Sequence, residues 1–288
     1  MVPSVVFLSS SIPERHPSAA VLGDERMGVG VAVAPRAVLT AHYLVMGASS
    51  VRVGAFDGRE RTVRSAAVDH ETGFALLHLD GPDLRPSPLA ATGRLAAGAP
   101  VFLLTCQNEN ERKGASGEVM MVGPFEAFWE YMLDQAIITN VVNPGLAGAP
   151  LFDALGRLVG VVSLGLSAVG RYSLAIPIDL FLERRLEMES GARSPERPIR
   201  AWVGFYPQAF DGGVAVTGVV SGGPAEKAGL TRGDLLLSVD GATVGSLRDL
   251  YAALWRKGPG DKLGFQVLRD SVILVVEVTA GDRDDFYK

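Results

Sequence analysis

The chain has 288 residues and 48% of them are hydrophobic, about the length of two domains and enough to bury a sizeable core. Its 27 basic and 32 acidic side chains leave a net charge of −5 with no basic patch, so no nucleic-acid partner is expected. A single cysteine, Cys106, excludes an internal disulfide framework and a cysteine-rich zinc site, and no run reaches the ~18 apolar residues of a membrane-spanning helix.

The opening MVPSVVFLSSSIPERH has no basic n-region and only a short apolar run, and does not read as a signal peptide. A cytoplasmic location is expected if Met1 is the native start, and a periplasmic or other extracytoplasmic one if a signal segment was removed. Short runs rich in Val, Leu and Ala then recur between glycine and proline turns. They predict strands at 5–8, 28–34, 37–40, 50–53, 61–68, 75–79, 100–104, 117–122, 136–139, 150–152, 158–164 and 173–176, whose spacing suits closed antiparallel barrels. A helix begins near Ile178, and the charged, proline-bearing stretch 187–200 reads as a linker. Domains are therefore expected at 1–186 and 201–288.

Beyond the linker the pattern changes. GGVAVTGVV is a strand, GGPAEKAGL a turn with a short helix, and GDLLLSVDG a strand closed by an Asp240-Gly241 turn of type I′ character. SLRDLYAALWRK is a helix with Ser246 as N-cap and Asp249 in its first turn, close to a capping box. DKLGFQVLRDSVILVVEVTA is a hairpin turning at Arg269, Asp270 and Ser271.

Two stretches carry the surroundings of acyl-transfer chemistry. Such chemistry needs an attacking hydroxyl, an imidazole to take its proton, a carboxylate to orient the imidazole, and backbone N–H groups aimed at the oxyanion. VLTAHYLV places His42 directly after a strand, and NPGLAGAPLFDALGRLVGVV supplies a glycine-rich turn before another. Three segments, GVGVAVAPRAVLTAHYLVMGA, DHETGFALLHL and VNPGLAGAPLFDALGRLVGVV, with YSLAIPIDLF after them, resemble the HtrA (Deg) family of trypsin-like serine proteases with a C-terminal PDZ domain. The resemblance implies a mostly β molecule, a trypsin-like double β-barrel followed by a PDZ domain.

It also implies site residues. His42 falls on the catalytic histidine, Gly73 on the aspartate and Ala147 on the nucleophilic serine, with the N–H groups of Gly145 and Ala147 as the oxyanion hole. Leu146 replaces the Asn or Asp before the serine, and Ala149 the second glycine after it. Only His42 keeps a chemically competent side chain. Asp69 and Ser163 are the candidates for relocated catalytic groups, though neither sits at the turn apex. The other histidines, His16, His70 and His78, have no ligand spacing, so neither a metal nor a cofactor is expected.

In the second domain the PDZ resemblance rests on AWVGF, PAEKAGLTRGDLLLSVDGATV, SLRDLYAALW and PGDKLGFQVLRD. It implies a loop of Trp202, Val203, Gly204 and Phe205 whose N–H groups capture a C-terminal carboxylate, and a peptide added as a strand beside Phe205. Leu247, Tyr251 and Leu254 share one helix stripe as the opposite wall, with Leu250 turned to the core. The expected partners are protein or peptide C-termini with an apolar last residue, with a homotrimer implied by the family.

Two readings of function follow. One is a catalytically inactive pseudoprotease acting as a peptide-binding adaptor, regulator or chaperone-like scaffold. The other is a serine endopeptidase of protein quality control in which alanine has replaced serine at position 147.

Overall fold

The computed structural model describes residues 2–93, 95–166 and 170–288. Among them the chain forms two compact units, one made of the residues up to Pro124 with Asp134–Arg193, the other of Phe125–Leu133 with Ser194–Lys288.

The first unit holds two closed barrels. Strands β1 (Val5–Ser11), β2 (Glu25–Ala34), β3 (Ala37–Ala41), β4 (Ser50–Gly54), β5 (Glu60–Asp69) and β6 (Phe74–Asp80) close in the order β1-β2-β3-β6-β5-β4. A short helix, α1 (Ala19–Leu22), lies between β1 and β2 in the chain. Strands β7 (Pro100–Cys106), β8 (Arg112–Ala127), β9 (Tyr131–Thr139), β10 (Pro150–Asp153), β11 (Leu158–Gly165) and β12 (Ser173–Pro177) close in the order β10-β11-β12-β9-β8-β7. Every predicted strand is present. Val6, Leu8, Val38, Val53 and Leu77 fill the first barrel, and Leu103, Ile137, Leu151 and Val159 the second. Val5, Phe7, Val29 and Cys106 form an apolar cluster that draws residues from strands of both, with Leu146 packed against it. Closure leaves neither sheet a free edge.

The helix α2 (Ile178–Ser190) follows Pro177, whose extended backbone serves as N-cap. Its first-turn Asp179 accepts the backbone N–H of Thr92 at 2.8 Å, and its C-cap Gly191 has a left-handed φ of 69°. The helix thus takes up the first residues of the stretch expected to be a linker.

The second unit is a sheet in the order β13-β14-β15-β17-β18, with β16 paired to β15. The strands are β13 (Phe205–Phe210), β14 (Gly213–Val219), β15 (Leu235–Val239), β16 (Ala242–Thr243), β17 (Lys262–Arg269) and β18 (Val272–Thr279). The helices are α3 (Pro224–Ala228), α4 (Leu247–Leu254) and α5 (Arg283–Phe286). Asp240 and Gly241 both have positive φ, 48° and 80°, as a type I′ turn requires. Ser246 accepts the N–H of Asp249 at 3.1 Å and caps α4. The core gathers Phe205, Leu236, Leu250, Tyr251, Leu254 and Phe265.

The largest departure from the sequence-based expectation is the β8–β9 hairpin. Strands expected at 117–122 and 136–139 run instead over Arg112–Ala127 and Tyr131–Thr139. Gly114, just before the expected strand, and Gly123 and Pro124, just after it, read as interruptions in the sequence, yet all three lie within β8. The tip of this hairpin, Phe125–Leu133, belongs to the second unit.

Candidate functional site

His42 opens a single 3-10 turn, His42–Leu44, where β3 ends. That turn is clamped from below by Arg26, only 6% exposed, whose Nη1 donates to the carbonyl of Tyr43 at 2.6 Å and whose Nη2 donates to Ser18 Oγ at 2.6 Å. The hydroxyl of Tyr43 reaches the carbonyl of Ser163 in β11 at 2.5 Å, and burial pushes its pKa up to about 12, so it stays a donor. The first and second barrels are thereby stitched together beside the histidine.

The imidazole Nδ1 lies 3.1 Å from the carbonyl oxygen of Gly73, and the backbone N–H of His42 donates to the same oxygen at 2.9 Å. A carbonyl can only accept, so Nδ1 carries the proton and Nε2 is the basic nitrogen. The tautomer a general base needs is therefore set by a backbone dipole, with no carboxylate at position 73. Gly73 has φ of 85°, in the left-handed region. Asp69 Oδ1 accepts the N–H groups of Glu71 at 2.9 Å and Thr72 at 3.3 Å and so shapes the turn leading to Gly73. The His70 ring meets the His42 ring edge-on, with centroids 5.2 Å apart.

The glycine-rich turn packs against the strands that carry His42. The carbonyl of Ala147 accepts the N–H of Val29 at 2.8 Å, and Gly148 donates to the carbonyl of Val162 at 2.9 Å. Gly148 has φ of 85°, and a Cβ there would lie 2.1 Å from the carbonyl oxygen of Val29 and 2.8 Å from Thr40 Oγ1. The glycine is required by both backbone and space. The structure thus brings Gly148 of this turn beside Thr40 and Leu44, close in sequence to His42.

One expected donor is engaged elsewhere. The N–H of Gly145 donates to Asn143 Oδ1 at 3.1 Å, and the amide of Asn143 returns to the carbonyl of Leu146 at 2.9 Å. An Asn two residues ahead of a glycine forms this local turn readily. The N–H of Leu146 is tied to the carbonyl of Cys106 at 3.0 Å. In this conformation Gly145 does not present a free N–H to an oxyanion.

In the second unit, the loop before β13 converges three N–H groups on one carboxylate. Val203 donates to Glu130 Oε2 at 2.9 Å, while Gly204 and Phe205 donate to Glu130 Oε1 at 2.7 and 3.2 Å. Gly204 has φ of 77°, and Phe205 opens the edge strand β13, as expected. Trp202 departs from the expectation. Its N–H is paired with the carbonyl of Gly281 at 3.1 Å, and its ring packs on Phe286 with centroids 4.6 Å apart. It braces the loop from behind instead of donating into it.

The helix wall differs too. Leu254 is as buried as Leu250, and Leu247 is half-buried. Tyr251 is fully buried, and its hydroxyl donates to the carbonyl of Ala127 while accepting the N–H of Glu130 at 3.2 Å. Burial pushes the Glu130 carboxyl upward, opposed by Arg283 and the three loop N–H groups. Glu130, the Tyr251 hydroxyl and Arg283 are site residues that sequence reasoning missed. The aromatic run around Glu130, FEAFWEY, hinted at a packed tip, but no local signal tied it to residues more than 70 positions away.

Among the described residues, no group of three or more His, Cys, Asp or Glu could hold a metal ion, and no helix is long and apolar enough to cross a membrane.

Comparison with known proteins agrees with this geometry. Residues 28–161 match the trypsin-like peptidase domain family and residues 185–280 the PDZ domain family. A probable periplasmic serine endoprotease DegP-like of Pseudomonas savastanoi pv. phaseolicola is 28% identical over 97% of this chain and 62% of its own length. Its counterpart in Hahella chejuensis is 30% identical over 86% of this chain and 55% of its own length. The chain therefore spans somewhat more than half the length of these curated relatives. A solved HtrA-type protease AlgW with tripeptide is 25% identical, with a TM-score of 0.57 over 98% of this chain and 94% of that one. This chain is a trypsin-like peptidase domain followed by a PDZ domain, a homologue of the DegP/HtrA serine proteases.

Proposed function

We propose that this homologue is a pseudoprotease, a peptide-binding adaptor, regulator or chaperone-like scaffold that grips chains without cutting them. The observation that carries the reading is the pairing at His42. Its Nδ1 faces a backbone carbonyl at Gly73, and the turn beside it ends in the methyl group of Ala147. A methyl cannot attack a carbonyl, and loss of the serine alone leaves only ~10³–10⁴-fold catalysis over water in such sites. The engagement of the Gly145 N–H with Asn143 further supports it.

Binding is proposed at the PDZ loop, toward C-termini with an apolar last residue. The convergent N–H groups of Val203, Gly204 and Phe205 on a carboxylate, and the edge strand β13 beside them, support that choice. A homotrimer remains part of the proposal through the family resemblance alone.

One observation favours a second reading, a quality-control serine endopeptidase whose nucleophile has been replaced. The His42 tautomer leaves Nε2 as an acceptor, which is what a serine at position 147 would need. Casein cleavage by the purified chain and by Ala147→Ser separates the two. The pseudoprotease reading expects no turnover from either. Strong cleavage by Ala147→Ser would establish the endopeptidase reading in its place.

A further inference from the structure

A PDZ cradle holding a carboxylate is ordinary when the carboxylate ends a ligand chain. Here it belongs to an internal side chain, Glu130, at the tip of the β8–β9 hairpin. Glu130 is only 3% exposed, and its φ of 54° is a left-handed backbone that a glutamate seldom adopts. Such a conformation persists only when surrounding contacts hold it.

Those contacts are extensive. Both carboxylate oxygens are taken up by the N–H groups of Val203, Gly204 and Phe205. The backbone N–H of Glu130 meets the Tyr251 hydroxyl at 3.2 Å, and that hydroxyl donates to Ala127. Arg283 Nη2 donates to the carbonyls of Trp129 and Glu130, each at 3.0 Å. Glu126 pairs with Arg248 of α4 at 2.7 Å, and Met132 packs on the apolar core of the unit. The hairpin tip reaches both walls that a peptide would touch, the loop before β13 and the helix α4.

We infer that Glu130 is a built-in surrogate C-terminus, so that the hairpin tip occupies the PDZ cradle and a free C-terminal peptide binds only by displacing it. The inference rests on the reading of the 203–205 loop as a carboxylate site. The competing ligand offers the same group as the occupant, a carboxylate, but at the end of an extended chain. When the cradle is open only a fraction of the time, apparent affinity falls by that fraction.

The test uses the full chain and a fluorescein-labelled decapeptide pool ending in Val, Leu or Phe, prepared with free and amidated C-termini. Fluorescence anisotropy gives Kd for the unaltered protein, for Glu130→Ala and for Glu130→Gln. We expect Glu130→Ala to bind the free-acid pool at least ~10-fold more tightly than the unaltered protein, with Glu130→Gln between them and the amidated pool bound by none. A second pair of variants leaves the cradle intact. Arg248→Glu should repel Glu126, loosen the tip and also tighten free-acid binding, whereas Arg248→Glu combined with Glu126→Arg should return Kd toward the original. Equal free-acid affinity in the unaltered protein and in Glu130→Ala would overturn the surrogate role while leaving the carboxylate-loop reading intact. Should Glu130→Ala misfold, an unchanged Kd in Arg248→Glu would overturn it in the same way. Equal binding of free and amidated peptides by the opened variants, or binding of neither, would remove the loop reading and this inference with it.

Discussion

At position 73 the backbone carbonyl faces the His42 imidazole, and the glycine there has no carboxylate to offer it. The φ of 85° at Gly73 is one an aspartate adopts at a cost of about 1 kcal/mol. Gly73→Asp is therefore expected to lower stability by about that amount in urea unfolding. Gly148 is held more tightly. Its positive φ and the 2.1 Å approach of a Cβ to the Val29 carbonyl leave no way to add a methyl without moving β2. Gly148→Ala should cost about 3 kcal/mol or more, seen as a fall in the midpoint of chemical denaturation. The place of His42 directly after a hydrophobic strand was legible. The Asn143 bond that draws in the Gly145 N–H was not, because an Asn before Pro-Gly is compatible with several turn geometries.

Among the elements, α4 combines a local device with a distant one. Ser246 caps it in the way its sequence announces, and Ser246→Ala should lower the stability of the second unit by about 1 kcal/mol. Tyr251 looked like a member of an apolar stripe. Its ring does stack with Trp255, at 5.2 Å, but its hydroxyl bridges Ala127 and Glu130. Tyr251→Phe preserves the packing and orphans two buried backbone groups, so a loss of about 2 kcal/mol is expected by thermal unfolding. Between α3 and β17, the fully buried Asp234 is gripped by Arg269 through bonds of 2.6 and 2.7 Å and by the N–H of Thr231 at 2.9 Å. Burial works to raise its pKa, but the Arg269 and Thr231 bonds outweigh it and hold the carboxyl below the usual range. A depressed folded pKa means stability that is complete above the unfolded value, near 3.8, and lost as pH falls through the folded one. The second unit should accordingly lose stability on acidification below about pH 4, and Asp234→Asn should flatten that part of the profile.

At the level of the whole molecule, the second unit is discontinuous: Phe125–Leu133 completes it from within the sequence of the second barrel. A fragment of residues 194–288 would lack Glu130 and leave the N–H groups of Val203, Gly204 and Phe205 open to water. Amide hydrogen exchange at those three positions should be slow in the full chain and markedly faster in the fragment. A free-acid peptide added to the fragment should slow it again, provided the loop is a carboxylate site.

Much of the architecture was readable in advance because it depends on near neighbours in sequence. Alternating apolar runs with glycine and proline turns specify strands, and the family resemblance carried by the segments around His42 and Ala147 implied which barrels they build. The strand end at 122 was misjudged because Gly123 and Pro124 look like a break in the sequence, yet β8 runs on to Ala127. The carboxylate that meets the 203–205 loop was beyond any local pattern. A glutamate at a hairpin tip is unremarkable by itself, and its burial becomes tolerable only when three N–H groups and Arg283 arrive from positions 203–205 and 283. Desolvating a charge is favourable only with partners in place, and tertiary structure alone can assemble them.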